Sequence, residues 1–389
     1  MDFDTEDSHA DIREAVATIT KSFGRSYYAD HAERREPTRE LWLELGKQGF
    51  IGINLPEEYG GGGAGLAELA LVCEETAAQG SPLLLMLVSS AISGEVIARY
   101  GSPQQKETWL PRMASGETKV VFAITEPDAG SNTLRMSTTA TADGDGWLLN
   151  GTKYYISGVD EADAVLVVAR TGTETTDSGE QTGKALLSLF IVPTDAPGFT
   201  AQNLPVSASL PERQFTLFFD NVPLGADQLV GALNEGFAEV FHGLNPERIV
   251  GAAICVGVGR FALEKAAEYA RTRQVWDVPI GAHQGIAHML AAAKIEVELA
   301  ALMTGKAAWL HDNGRPAGEA SNMAKYAAAE AALAAVDAAI QTHGGNGLST
   351  EYGLIPLWGI VRLLKIAPVS REMVLNYVAR HSLGLPRSY

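Results

Sequence analysis

The chain has 389 residues and a formal net charge of −17, from 47 acidic against 30 basic side chains. That balance excludes a general nucleic-acid binder, which needs a basic face to displace counterions, although one Arg or a helix N-terminus can still hold a phosphate. Hydrophobic residues make up 46%, enough for a large core; no window approaches the roughly 18 uninterrupted apolar residues of a membrane span, and the length fits two or three domains.

The acidic start, Met1-Asp-Phe-Asp-Thr-Glu-Asp7, lacks the basic region of a signal or transit peptide, so no export is expected. Residues 1–118 read as a helical domain. Residues 11–23 and 39–46 carry apolar side chains at helical spacing, 64–78 is a longer amphipathic run, and 81–100 is apolar enough to be a buried helix. Gly60 to Gly63 are consecutive glycines, but no Lys-Ser/Thr follows and no parallel strand precedes them. A phosphate loop is therefore rejected in favour of a flexible connection.

Near Lys119 the period shortens. Residues 120–124, 147–156, 164–169, 186–192 and 214–220 are β-rich and separated by turns such as Ala142-Asp-Gly-Asp-Gly146. This predicts a small β-barrel or sandwich over 119–228, with the polar stretch 171–183 as a surface loop. From 229 to the end the chain is helical again. Residues 239–272, 285–313, 319–343 and 373–383 predict a C-terminal four-helix bundle over 229–389. The fold class is thus α+β and multidomain: helical, β, helical. No internal repeat is present.

Cys73 and Cys255 make neither a disulfide framework nor a metal set, and both lie in apolar helical runs, so buried thiols in a reducing compartment are expected. His283, His288 and His343 lack carboxylate or Cys partners at ligand spacing, so no metal is expected. Gly-Xaa-Ser-Xaa-Gly is absent, which leaves an acyl hydrolase without support.

Two stretches carry candidate chemistry. In Phe122-Ala-Ile-Thr-Glu-Pro-Asp-Ala-Gly-Ser-Asn132 an apolar strand stops at Thr125. Pro127 fixes φ and Gly130 permits a positive one, so a turn follows, with Thr125, Ser131 and Asn132 clustered beside backbone N–H groups. Such a turn can hold a flat, hydrogen-bonding cofactor or can be an ordinary Pro/Gly loop. About one hairpin later comes Gly151-Thr-Lys-Tyr-Tyr-Ile-Ser-Gly158. The pair resembles the acyl-CoA dehydrogenase family, whose pattern reads T-E-P-x-A-G-S followed by G-x-K-x-W-I-T/S. The likeness runs from the first helix to the last few residues.

The resemblance implies FAD between the β domain and the C-terminal bundle, an acyl-CoA or acyl-carrier substrate, a homotetramer, an electron-transfer flavoprotein as acceptor and a cytoplasmic role in fatty-acid oxidation. It places Phe122, Ile124, Thr125, Gly130 and Ser131 against the isoalloxazine and ribityl chain, with Tyr155 where the family has Trp, Ile156 beside it, and Ser157 where a hydroxyl faces the ring. Ser131 also falls in the substrate site. Taken alone, Tyr155 reads as a half-buried strand aromatic. Arg273-Gln-Val-Trp-Asp-Val-Pro-Ile280 resembles the family's R-x-x-F-G-x-P-I turn. The resemblance assigns Arg273 to the flavin pyrophosphate of a neighbouring subunit and Trp276 to its adenosine, followed by His283 and Gln284. Gln341, Gly344 and Gly345 match a later adenosine-diphosphate segment, and Ser370 a further flavin contact. Asp277 departs from the usual Gly. Arg273 by itself would read as a solvated helix-end charge.

The reaction implied is α,β-dehydrogenation of an acyl thioester, with a carboxylate removing the α proton. Many members carry that base as Glu in a Y-E-G-T loop. Aligned on Val378-Ala-Arg380, this chain has Ala367-Pro-Val-Ser370, with Pro368 in the carboxylate's place. Isovaleryl- and long-chain-type members carry the Glu instead in a pattern like L-D-L-E-R. Here Leu244-Asn-Pro-Glu247-Arg248 puts Glu247 at the base position, Arg248 at a substrate-binding position and Asn245 where Asp is usual. A surface Glu-Arg pair is the alternative; adjacent helical residues point about 100° apart, so the two need not pair. Glu372, one turn beyond Pro368, would cap the last helix or touch the flavin. The same scaffold also hosts oxygen-using flavin enzymes, carrier-linked dehydrogenases and silent partner subunits.

Overall fold

A computed structural model describes residues 7–175 and 181–387, and its elements follow the order helical, β, helical. The acidic start, residues 1–6, lies outside the described residues. The first part comprises α1 (Asp7–Ser22), α2 (Tyr27–Arg34), α3 (Arg39–Lys47), α4 (Leu66–Ala78), a π-helical segment (Met86–Gly94), α5 (Glu95–Tyr100) and α6 (Pro103–Ala114). The apolar run 81–100 is therefore not one α-helix, since its middle is wound as a π-helix. α2 and α6 are additions to the sequence reading. α6 is opened by a reciprocal box: Ser102 Oγ accepts from Gln105 N at 3.1 Å and Gln105 Oε1 accepts from Ser102 N at 2.9 Å, with Pro103 in the first turn.

The glycine run is no flexible connection. Gly62 N donates to Gly52 O, Gly63 N to Leu55 O and Ala64 N to Ile53 O, at 2.9–3.0 Å. A Cβ on Gly61 would lie 2.2 Å from Leu55 O. At Gly61 and Gly62 the backbone folds back onto itself too closely for side chains, and Gly60 and Gly63 take φ of 80° and 62°.

The middle part is one eight-stranded sheet: β1 (Val120–Ala123), β2 (Thr139–Asp143), β3 (Gly146–Ser157), β4 (Ala164–Thr175), β5 (Gln181–Pro193), β6 (Phe199–Leu204), β7 (Gln214–Leu224) and β8 (Leu229–Val230). The order is β6-β7-β3-β2-β4-β5-β8, with β1 parallel to β4. β2 joins β4 at one partner pair, Thr139 with Arg170. The surface loop expected over 171–183 is mostly strand: 171–175 and 181–183 continue β4 and β5, and 176–180 lie outside the described residues. β2 and β6 escaped the sequence reading because both are largely exposed and lack apolar alternation.

The last part holds α7 (Gly236–Thr272), a hairpin of β9 (Gln274–Val275) and β10 (Val278–Pro279), α8 (Gln284–Asp312), α9 (Gly318–His343), α10 (Leu354–Ile366) and α11 (Arg371–His381). α7, α8 and α9 pack on one another. α10, which the sequence reading left out, lies against α9 and α7, and α11 against α9. α7 also crosses α4 at backbone distance: a Cβ on Gly257 would stand 2.1 Å from Glu74 O. Cys73 and Cys255 are both buried and free. Among the described residues no helix is long and apolar enough to cross a membrane.

Candidate active site

After β1 the chain turns back toward β3. Thr125 O accepts from Tyr154 N at 2.9 Å, and Glu126 and Ala129 exchange backbone hydrogen bonds at 3.2 and 3.1 Å. Beneath the turn lies an ion pair that sequence reasoning did not single out. Lys153 is 0% exposed and its Nζ donates to Glu126 Oε1 at 2.9 Å and to Ile124 O at 3.1 Å. Glu126 also accepts from Ser137 N at 2.5 Å, Ser137 Oγ at 2.8 Å and Thr138 N at 3.0 Å. Burial alone would push the Glu126 carboxyl up, but Lys153 and these donors outweigh it and bring it down to about 2.

On this support stand the residues expected to meet a flavin. Gly130 does not take the expected positive φ; its role is different, because nothing lies within 4 Å of where its Cβ would be. That leaves bare backbone for a ligand to approach. Ser131 and Asn132 are exposed, Ile124 and Thr125 half-buried, and Phe122 and Ile156 buried beneath. Tyr155 has φ 58° at a register shift between Lys153 and Ile156, and it is 55% exposed, edge-on to Tyr154 at 4.5 Å. A left-handed Tyr costs on the order of 1–3 kcal/mol and persists only where its surroundings fix it. The bulge turns this aromatic outward on the strand that Tyr154 N joins to Thr125 O, so an exposed aromatic and the open Gly130 turn lie on neighbouring segments and form a ledge on which a flat ring could lie. Ser157 Oγ donates to Gln214 Oε1 at 3.1 Å, while Gln214 Nε2 is buried with no partner among the described residues.

Glu247 is not half of a surface pair, for it is only 8% exposed. Gly243 and Gly251 sit one turn before and after it, on the same face of α7. A Cβ on Gly243 would lie 3.0 Å from Ile92 and 3.1 Å from Val96; one on Gly251, 3.2 Å from Leu87. The glycines let α7 close on the π-helical segment, so Glu247 is set into an apolar wall. Burial pushes its carboxyl up to about 8, against the pull of Arg248 and Lys325. Arg248 Nη1 donates to Asn245 Oδ1 at 3.0 Å, and its buried Nε has no partner among the described residues. Pro246 leaves the helix unbroken. The same stretch of chain also reaches β1 and the end of β3: Val120 N donates to Ser89 Oγ at 3.3 Å, and a Cβ on Gly158 would lie 2.5 Å from Leu85, the residue before the π-helical segment. One segment thus joins β1, the end of β3 and the Glu247 face.

Residues 367–370 link α10 to α11. Ser370 Oγ accepts from Met373 N at 3.3 Å and caps α11, a role expected of Glu372, whose exposed side chain comes no closer than 3.9 Å to Arg371. Lys325, also unremarked in the sequence, ties this loop to α9 through Val369 O at 2.5 Å. An isolated Lys in an Ala-rich helix was the available signal.

A second group gathers at the far end of α7. Trp276 and Asp277 have φ 50° and 65° and form the two-residue turn of the β9–β10 hairpin, a turn that needs positive φ at both positions. Asp277 therefore does what Gly does in the family pattern. Trp276 is 84% exposed and edge-on to His283 at 5.8 Å; His283 Nε2 is buried with no partner among the described residues, and Gln284 opens α8. Arg273 is exposed and its N donates to Tyr269 O at 2.8 Å. Tyr269 stacks on His343 at 4.3 Å and its hydroxyl accepts from Asn346 Nδ2 at 3.1 Å, which brings the exposed Gln341, Gly344 and Gly345 to the same end. From Glu247 to this group runs most of α7, about 38 Å at 1.5 Å per residue.

Family models described as acyl-CoA dehydrogenase N-terminal, middle and C-terminal domain match residues 6–117, 121–222 and 234–383. The chain is 57% identical over 380 residues to acyl-CoA dehydrogenase FadE12 of Mycobacterium tuberculosis, covering 97% of this chain and 96% of that one. It is 37% identical over 361 residues to glutaryl-CoA dehydrogenase of Desulfococcus multivorans, covering 92% and 91%. Among solved structures it is similar to a glutaryl-CoA dehydrogenase from Mycobacterium smegmatis in complex with FADH2, with a TM-score of 0.91 and 28% identity over 99% of this chain and 96% of that one.

Proposed function

The chain belongs to the acyl-CoA dehydrogenase family, flavin-dependent oxidoreductases that bind FAD, and from that premise we propose that it converts an acyl-CoA thioester to the 2-enoyl-CoA with Glu247 as the base. The observation that carries this reading is the burial of Glu247 in an apolar wall beside Arg248, whose Nε is unpartnered. Bound FAD supplies the acceptor for the β hydride. The ledge of Phe122, Ile124, Thr125, Gly130, Ser131, Tyr155, Ile156 and Ser157 would hold the ring, with Ser370, on the loop before α11, as a further contact. Arg248, Asn245 and Ser131 hold the substrate. A Glu247 carboxylate oxygen then takes the α proton. A carboxylate kept out of water is a stronger base than one in solvent, and its raised pKa means the step quickens as pH rises through about 8. Pro368 offers no N–H to the thioester carbonyl, so polarisation of that carbonyl falls to other donors.

Arg273, Trp276, His283, Gln284, Gln341, Gly344 and Gly345 lie too far along α7 to serve the flavin at the Glu247 end. They serve a flavin bound by another copy, which supports a homotetramer. α8 adds to this, since Ile295, Leu299 and Leu302 form an exposed apolar stripe on one face. An electron-transfer flavoprotein is the proposed acceptor.

The test is a panel of acyl-CoA thioesters mixed without oxygen with the FAD-loaded protein. Bleaching of the flavin, with enoyl-CoA as product and turnover restored by an artificial acceptor, is expected. Failure of every thioester to bleach it would overturn the reading. Pro368 favours one rival, an oxygen-using enzyme, and rapid oxygen consumption by the reduced protein would decide for it.

A further inference from the structure

Lys325 lies within α9 and is 3% exposed. An ammonium so deep is costly unless its donors are satisfied and its charge is compensated. Its Nζ donates to Lys365 O at 3.0 Å and Val369 O at 2.5 Å, the last turn of α10 and the loop beyond it. Carbonyls at a helix C-terminus suit a cation, but neither carries a full negative charge. The groups around Lys325 come from other elements: Glu247 on α7 and Glu372 on α11 are the carboxyls, Cys255 on α7 is a thiol that burial pushes up to about 12 and so keeps neutral, and Arg248 opposes them. Seen from Glu247, the charged groups are Arg248 on its own helix and Lys325 from α9. Tyr377 of α11 faces Arg248. The π-helical segment presents Leu87 and Ile92, α5 Val96 and α10 Leu364 to the glycines that flank Glu247.

We propose that Lys325 is a positioning residue for the base: through Lys365 O and Val369 O it anchors the end of α10 and the loop beyond it against the bundle, and Leu364 of that same turn lies against Gly251, one turn along α7 from Glu247, so the Lys325 charge stands across the α7–α9 interface from the base. This rests on the reading of Glu247 as base. Arg248 is committed to Asn245 and available to substrate, whereas two backbone oxygens hold Lys325 in place whether or not substrate is bound; burial lowers its ammonium to about 8, so its charge is present below that pH. The direction of the Glu247 shift agrees: burial drives it up, and Arg248 and Lys325 restrain it.

The experiment follows anaerobic flavin reduction by an acyl-CoA against pH in four FAD-loaded proteins: parent, Lys325→Met, Lys325→Arg and Glu247→Gln. In Lys325→Met the acid limb of the profile should move to higher pH, on the order of one unit, because the base loses a nearby positive charge. In Lys325→Arg it should stay near the parent's. A purely structural lysine would lower the rate by one factor at every pH; a limb that does not move in Lys325→Met, or moves as far in Lys325→Arg, overturns the proposal. If Lys325→Met does not retain FAD, Lys325→Gln, which keeps a donor toward Val369 O, is read by the same criterion. Glu247→Gln separates the two readings. Parent-like reduction in that variant removes the base assignment, whereas a slowed Glu247→Gln with an unmoved Lys325 limb removes only the role of Lys325.

Discussion

Lys153 and Glu126 show how much a site can depend on residues that never touch a ligand. Lys153→Met should destabilise the protein by about 3–5 kcal/mol, because it strands a buried carboxylate. Denaturant unfolding would measure this, and adding Glu126→Gln should recover much of the loss. The pair also sets an acid limit. Folded Glu126 titrates below its unfolded value near 4.5, so its stabilisation is fully present above that pH and fades as pH falls toward about 2. Stability followed down this window should fall less steeply in the double variant. None of this was legible in the sequence, because residues 126 and 153 meet only through the fold. Glu247 was legible by its neighbours in the Leu244–Arg248 motif, but its burial was not, since a helical Glu is exposed by default. Gly243 and Gly251, at four residues on either side, were the signal that this face of α7 touches something.

At the scale of elements, long periodic helices read well and irregular or exposed ones did not. α7, α8 and α9 were found within a few residues of their ends. The π-helical segment was read as a plain helix, because hydrophobicity reports burial and not winding. α10 was lost between Gly344-Gly345 and Pro368, punctuation that drew attention to loops. The close crossing of α4 and α7 gives a direct test. Gly257→Ala places a methyl against backbone, which cannot move aside as a side chain can, and should cost about 1–3 kcal/mol. Thermal unfolding would register it, and a melting temperature equal to the parent's would mean that the helices are not this close.

For the whole molecule, the proposed site residues fall at the two ends of α7, about 38 Å apart, and the proposed assembly is what would bring them to one flavin through a second copy. Leu299→Glu on the exposed stripe of α8 should therefore lower the oligomeric state in light scattering and weaken FAD retention together. A smaller particle that holds FAD as tightly as the parent would break that link. The central claim is narrower, that Glu247 takes the α proton. Its most direct test is the anaerobic rate of flavin reduction by acyl-CoA in Glu247→Gln beside Glu372→Gln. The exchange is nearly isosteric and removes only the basic oxygen, so Glu247→Gln should keep its fold and its FAD and reduce about 10²–10⁴-fold more slowly, while Glu372→Gln stays close to the parent. Parent-like reduction in Glu247→Gln, or a collapse confined to Glu372→Gln, would contradict the account and move the base to the loop before α11.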